Sequence, residues 1–520
     1  MRASFALVLW LFAGAWPGAC IPGLPPAEPE RAAPGLRLPA LHAEPDPIAG
    51  GRIVDAHGRE VLLRGVNVNA FVEYWAYDPS LFTTYPFPPE DADAIAGLGW
   101  NVVRLLLSWS RVEPEPGVYD EAYLDAIEAT VRMLERRGVY TLIDLHQDAW
   151  SATLAARPDE ACAGIGPAAF GWDGAPAWAT QDAGAPRCMP IGIRELSPAV
   201  IESFSAFWND APGPGGIGLR TRYVHMLAHL AARFSPLDAV AGYDLMNEPN
   251  VFAELERLSD FTADAIAAIR AAETAAGAPH RLVFFEPSIT WAGLGGGAIP
   301  PFPADDQIVY APHVYQGGLD AQPLDAAVFE RARRDAAVHG GAPVFSGEWG
   351  SDPGRASDPG DGYFERHAAF QDAFRFGATL WTWREACGDP HKAGDARDGR
   401  VPRVWGLFEV DCARNEVLGW RDDLVEALRR PALRAAPGAI DSVGWDPGAA
   451  RFAASGRAAR EGRSFFVFWP DRLDARPRVE TRGLRGVHTV AAPGGNRFVA
   501  GWARGGDWSI AITPRAGDSR

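Results

Sequence analysis

Lysine is almost absent from this chain of 520 residues: Lys392 stands alone among 49 basic side chains. A Schiff-base enzyme built on a barrel needs a lysine on a strand, and Lys392 sits in a loop-like stretch, so that chemistry is excluded. Positive charge is short overall. The formal net charge of −17 speaks against nucleic acid or an anionic membrane surface as the main partner, but leaves open a lipid held by apolar contacts and peripheral contact with a lipid surface. Cysteine is scarce too, with five in all and no CxxC; HExxH is also missing, so no structural zinc site is expected. The histidines of interest fall on different segments rather than close together on one strand, and neither a metal nor any other cofactor is expected. A Gly-rich phosphate turn after the first strand is missing as well, which argues against a doubly wound sheet, the second-best fold.

The apolar run at the N-terminus, Ala3 to Ala15, is short of the roughly 20 residues a membrane span needs. It suits the h-region of a signal peptide covering residues 1–20, with cleavage near Ala19-Cys20, and implies a secreted or periplasmic protein. A lipid anchor at Cys20 is the weaker alternative, because Pro17 is a poor residue three places before an acylated cysteine. Residues 21–49, rich in Pro, Ala and Glu, read as a flexible linker. Export makes two local disulfides reasonable, Cys162 with Cys188 and Cys387 with Cys412; free buried thiols are the alternative.

What is present is a long alternation of apolar runs and helical patterns. Candidate strands are 61–68, 101–109, 140–148, 240–249, 281–288, 308–315, 343–350 and 377–385. Between them lie amphipathic stretches such as EAYLDAIEATVRMLERRG, ending in a Gly placed like a C-cap. Eight near-continuous apolar strands with helices between them predict an all-parallel (β/α)₈ barrel over residues 50–430. The longest connection, Trp150 to Ala239, should hold a helix and a lid-like element on the active face. Short alternating segments at 464–470, 497–503 and 507–513 predict a small antiparallel β-sandwich over residues 431–520. The 19 Trp suit both core packing and stacking on sugar faces.

Polar residues gather at the ends of these strands. Glu248 in GYDLMNEPN and Glu348 in PVFSGEWG close the fourth and seventh, on opposing sides of a barrel mouth. Two facing carboxyl groups are what glycoside hydrolysis requires, about 5–5.5 Å apart in retaining enzymes. Taken alone, NEP is as well explained by a surface turn; the pair is far more specific. Arg104 on the second strand could hold a nucleophile ionised. His146 and Asp148 close the third strand, His313 and Tyr315 the sixth, and Trp381 lies in the eighth. Asn247 could bond a sugar 2-hydroxyl. Each has a structural explanation by itself; their convergence on one rim does not.

These motifs resemble glycoside hydrolase family five over about residues 50–430. The resemblance implies Glu248 as acid/base and Glu348 as nucleophile, with Arg104, His146, Asn247, His313, Tyr315 and Trp381 around the cleaved sugar. DLHQDAW, DGAPAWAT, FWNDAPGPGGIGLRTRY and GYDLMNEPN, with the two-domain layout, are similar to the endoglycoceramidases within that family. That likeness implies a glycosphingolipid or oligosaccharide substrate, cut between sugar and ceramide, and makes Asp148 a contact of the sugar next to the lipid. The loop GSDPGRASDPGDG, where the likeness would place the lipid, is polar. The rivals are an endo-glucanase or mannanase of the same family and, from another class, a glycan-binding protein with a lapsed site. The expected oligomeric state is a monomer.

Overall fold

The computed structural model describes residues 38–252, 254–319, 322–352, 362–392 and 404–515. The signal segment 1–20, most of the linker and most of the polar GSDPGRASDPGDG loop lie outside them. Among the described residues no helix is long and apolar enough to cross a membrane.

Eight parallel strands form the barrel: β1 (Arg64–Phe71), β2 (Val102–Ser108), β3 (Tyr140–His146), β4 (Val240–Asp244), β5 (Leu282–Phe285), β6 (Ile308–Tyr310), β7 (Phe345–Trp349) and β8 (Gly377–Leu380). They pair in sequence order, β8 pairs with β1, and a parallel bridge from Tyr310 to Val344 brings β6 to β7 and closes the ring. Every residue of β2 and of β3 is buried, because one face packs on helices and the other fills the lumen. Val103, Leu105, Ile143, Leu145, Val283 and Phe285 belong to the helix-facing core. Leu142, Leu282, Phe284 and Phe345 cluster separately, inside the lower barrel. The period of two thus sorts each strand into an outer apolar row and an inner row that turns polar toward its C-terminal end.

Flanking helices follow from amphipathic patterning. Glu121–Glu135 is capped by the Asp120 carboxylate, which accepts from the Tyr123 backbone N–H, and buries Leu124, Ile127, Val131 and Leu134 on one face. The long connection after β3 carries helices Pro198–Trp208 and Leu219–Phe234, preceded by short helical turns. Disulfides join Cys162 to Cys188 within it and Cys387 to Cys412 after β8.

The C-terminal part is two antiparallel sheets. One has four strands, Ala439–Asp446, Arg451–Ala459, Gly506–Thr513 and Arg478–Arg482 in spatial order. The other has seven, and here the expected boundaries need correction. Three of its strands, Leu41–Glu44, Arg52–Asp55 and Glu60–Val61, come from before the barrel, and Val61 pairs with Ala435. The linker expected over 21–49 therefore already contains a strand, and the barrel begins at Arg64 rather than at residue 50. The cause is packing that composition conceals: Leu41 and Ala43 alternate into a core shared with Ile53, Val61 and the lower barrel. An apolar core of Phe452, Val467, Trp469, Val499, Trp508 and Ile510 holds the sheets together.

Candidate active site

The inner rows of β2 to β5 end in charge. Arg104, fully buried on β2, is the hub. Its Nε donates to Asp244 at 2.9 Å, Nη1 to Glu348 at 3.0 Å and Asn67 at 3.1 Å, and Nη2 to Asp144 and Glu286 at 2.9 Å and Asn247 at 3.0 Å. Four carboxylates on one guanidinium use its forked donors completely; burying them without it would be prohibitive. Its charge is accordingly held: burial disfavours the cation, but Asp144, Asp244, Glu286 and Glu348 outweigh this and raise its pKa further.

Glu348, near the end of β7, is bracketed. One oxygen accepts from Arg104, and the other accepts from the Tyr315 hydroxyl at 2.7 Å. Glu248 stands just past β4 in an unusual backbone state, with φ of 41°. The positive φ is maintained by Gln147, whose Nε2 donates to the Asn247 and Glu248 carbonyls at 2.6 and 3.1 Å, and by Glu286, which accepts from the Glu248 N–H at 2.9 Å. His313 lies between the two acids, its Nδ1 2.9 Å from Glu248 and 3.5 Å from Glu348. A carboxylate oxygen of Glu248 and one of Glu348 lie within 4.8 Å of each other.

Burial raises Glu348, and although His313 and Arg104 pull it down, it stays above the ordinary glutamate value. Burial pushes Glu248 up as well, but its bond to His313 and the charges of His313 and Arg194 leave it below that value. His313 itself is driven well up by Glu286 and Glu348, against the effect of burial.

A second group adjoins the first. His146 Nδ1 bonds Asp144 at 2.8 Å, and its ring lies nearly parallel to Trp381, 5.4 Å between centroids. Asp148 is gripped by three cations: Arg194 at 2.7 Å, His391 at 3.5 Å and His146 at 3.6 Å. His391, on the segment after β8, also bonds Asp389 at 2.6 Å; against the effect of burial, Asp389 and Asp148 lift its pKa to about 9. Asn247 is fixed at both ends, Oδ1 on Arg104 and Nδ2 on the Gln147 carbonyl at 3.0 Å. All nine residues singled out in the sequence for catalysis or substrate contact thus lie in one continuous network at the mouth of the barrel. Among the described residues three triads, His146–Asp148–Asp173, Glu248–His313–Glu348 and Glu385–Asp389–His391, are tight enough to hold a cation. Arg194 and His391 already engage Asp148, and Lys392 lies 3.5 Å from Glu385, so these two acids already have cationic partners within the protein.

Several members were not picked out from sequence. Glu286 had a signal, an acid at the end of the recognised run RLVFFEP. Asp144 and Asp244 were charges inside apolar strands, which only a buried cation explains. His391 and above all Arg194 lie on irregular segments without periodicity or motif.

Comparison with known proteins gives the family and the fold. Residues 54–386 match the family model described as cellulase (glycosyl hydrolase family 5). Among curated proteins, endoglycoceramidase I of Rhodococcus hoagii is 29% identical over 51% of this chain and 52% of its own length. A glucosylceramidase of Rhizopus delemar is 27% identical over 45% and 39%, respectively. The chain thus spans about half or less of the length of these relatives. Among solved structures, an endogalactoceramidase superposes with a TM-score of 0.80 at 36% identity, covering 92% of this chain and 100% of that one. Endo-glycoceramidase II from Rhodococcus sp., in complex with a five-membered iminocyclitol, gives 0.65 at 25% identity over 89% and 99%. With the model matching more than half of its residues, the chain belongs to glycosyl hydrolase family 5.

Proposed function

We propose that this protein is a retaining β-glycosidase that cuts the bond between a sugar headgroup and ceramide in glycosphingolipids. The observation that carries the reading is the facing pair, Glu248 and Glu348, with oxygens within 4.8 Å, a spacing that suits direct attack better than an intervening water. Glu348 attacks the anomeric carbon while Glu248 gives its proton to the departing oxygen; water, deprotonated by Glu248, then releases the sugar. In the free protein burial holds Glu348 above the ordinary glutamate value, while His313 and Arg194 hold Glu248 below it. Positive charge developing at the sugar ring beside Glu348 favours its carboxylate, so that Glu248 carries the proton when substrate is bound. A bell-shaped pH–rate profile is expected, its limbs reporting the two acids. Tyr315 and Arg104 orient Glu348, while His146, Asp148, Asn247 and Trp381 line the place of the sugar.

Ceramide as the aglycone is supported by the names of the relatives, and export by the N-terminal sequence and the two disulfides. Incubating the protein with lactosylceramide, a ganglioside and a galactosylceramide-linked oligosaccharide in detergent tests the reading. Intact oligosaccharide plus free ceramide is expected. Cleavage of aryl β-glycosides or soluble glucan without ceramide release would move the substrate to the glucanase alternative, and binding without turnover would revive the lapsed-site alternative. The likeness to an endogalactoceramidase favours the galactose-linked substrate. Glu348→Ala abolishes turnover, and azide restores Glu348→Gly only with inverted configuration; recovery with retention would overturn the nucleophile assignment.

A further inference from the structure

Arg194 reaches the site from outside the barrel framework. It lies on the short turn Arg194–Leu196 of the long connection after β3, six residues beyond the Cys162–Cys188 disulfide. Its guanidinium lies 4.2 Å from the centroid of the Trp172 ring, which fixes its plane. From there Nη2 bonds the Asp148 carboxylate at 2.7 Å and stands 3.9 Å from Oε2 of Glu248, the only cation besides His313 that close to this acid among the described residues. Nε pairs with Glu195, and Nη1 has no hydrogen-bond partner among the described residues. Arg194 thus bridges the acid expected to hold the sugar and the acid expected to move the proton.

We propose that Arg194 is a positioning residue of this site: it sets the Asp148 carboxylate for the sugar and places a fixed positive charge beside Glu248 that assists Glu248 as the base of the second half-reaction. The inference rests on the glycosidase reading above. In that step the water oxygen bonds to the anomeric carbon, the bond from that carbon to Glu348 breaks, and the water proton passes to Glu248. A nearby cation favours Glu248 as the carboxylate waiting for that proton. The other charged or titratable groups around Glu248 are His313, Asp148, Glu348, Glu286 and Tyr315. Of the cations, Arg194 is the one supplied by an irregular insertion rather than by a strand end.

The test compares Arg194→Met and Arg194→Lys on an activated aryl β-glycoside, whose departure needs little acid help, and on a glycolipid. Met keeps an apolar contact with Trp172 without the charge; Lys restores the charge. In Arg194→Met the Glu248-governed limbs, the alkaline limb of kcat/KM and the acid limb of kcat when release of the sugar limits the rate, both move up by about one pH unit. KM for the glycolipid rises on the order of tenfold as Asp148 loses its strongest partner. Arg194→Lys returns the limbs toward the wild-type positions. Unmoved limbs in a folded Arg194→Met, its melting temperature near wild type, or equal shifts in Met and Lys, would overturn the proposal and leave a merely structural arginine. If the wild-type protein cleaves no β-glycoside at all, the glycosidase reading fails first and takes this inference with it.

Discussion

The two ends of the barrel are built from the same strands on opposite principles. Along β3, Leu142 packs at the base with Leu282, Phe284 and Phe345, while Asp144 and His146, two and four residues on, enter the charged network at the mouth. β5 repeats the step, from Leu282 and Phe284 to Glu286 just beyond its end. At the base, hydrophobic burial is non-directional, and similar residues could be exchanged with repacking. At the mouth, one guanidinium makes six directed bonds, four to carboxylates and two to the Asn67 and Asn247 amide oxygens, and each depends on its partner's position. An apolar lumen at one end stabilises the barrel; the other end holds charge against its own repulsion so that two acids can face each other.

Removing the hub breaks the comparison most severely. Arg104→Met leaves four buried carboxylates without their cation; we expect loss of about 3–5 kcal/mol or outright failure to fold, and activity lost by orders of magnitude in whatever folds. Denaturant melts with aryl glycoside turnover check this. A stable, active Arg104→Met would show that the acids carry protons and need no cation. At the other end, Phe284→Ala should cost a similar ~3–5 kcal/mol through its cavity, yet leave kcat per folded molecule within a fewfold. A large fall in kcat with unchanged stability would show that the base and the mouth are coupled.

The smallest effect sharpens the contrast at a third place, the seam between the N-terminal strands and the sandwich. Burial lifts Glu60 to about 7, although the Ile440 N–H, Arg375 and Arg52 pull it down. A carboxyl whose folded pKa lies above its unfolded one contributes stability that is full below the unfolded value near 4.5 and lost as pH rises through about 7. Asp173 and Glu385 are likewise raised by burial to about 7 and act in the same direction. The melting temperature should therefore fall between pH 5 and 8, and Glu60→Gln should flatten part of that slope while leaving activity intact. An unchanged slope would place the pH sensitivity at the mouth instead.

Much of this was legible in the chain. The eight strands are legible because full burial on both faces leaves long apolar runs, and Glu248 and Glu348 are acids where such runs end. The N-terminal strands were missed for the converse reason. Leu41–Glu44 is short, lies in a Pro- and Ala-rich segment, and pairs with Arg52–Asp55, while its neighbour Glu60–Val61 finds its far partner, Ala432–Ala436, over 370 residues away in sequence. No local window contains that partner.

Sequence by itself determined the barrel, the antiparallel C-terminal part and the two glutamates, because periodicity and strand-end chemistry are local properties of the chain. Tertiary structure alone decided the electrostatics: that Arg104 gathers four acids, that His313 stands between the two glutamates, and that Arg194 arrives from the long connection after β3, beyond its disulfide, to touch Asp148 and approach Glu248. Charge interactions depend on distance and burial, and closing the barrel sets both for residues far apart in the chain.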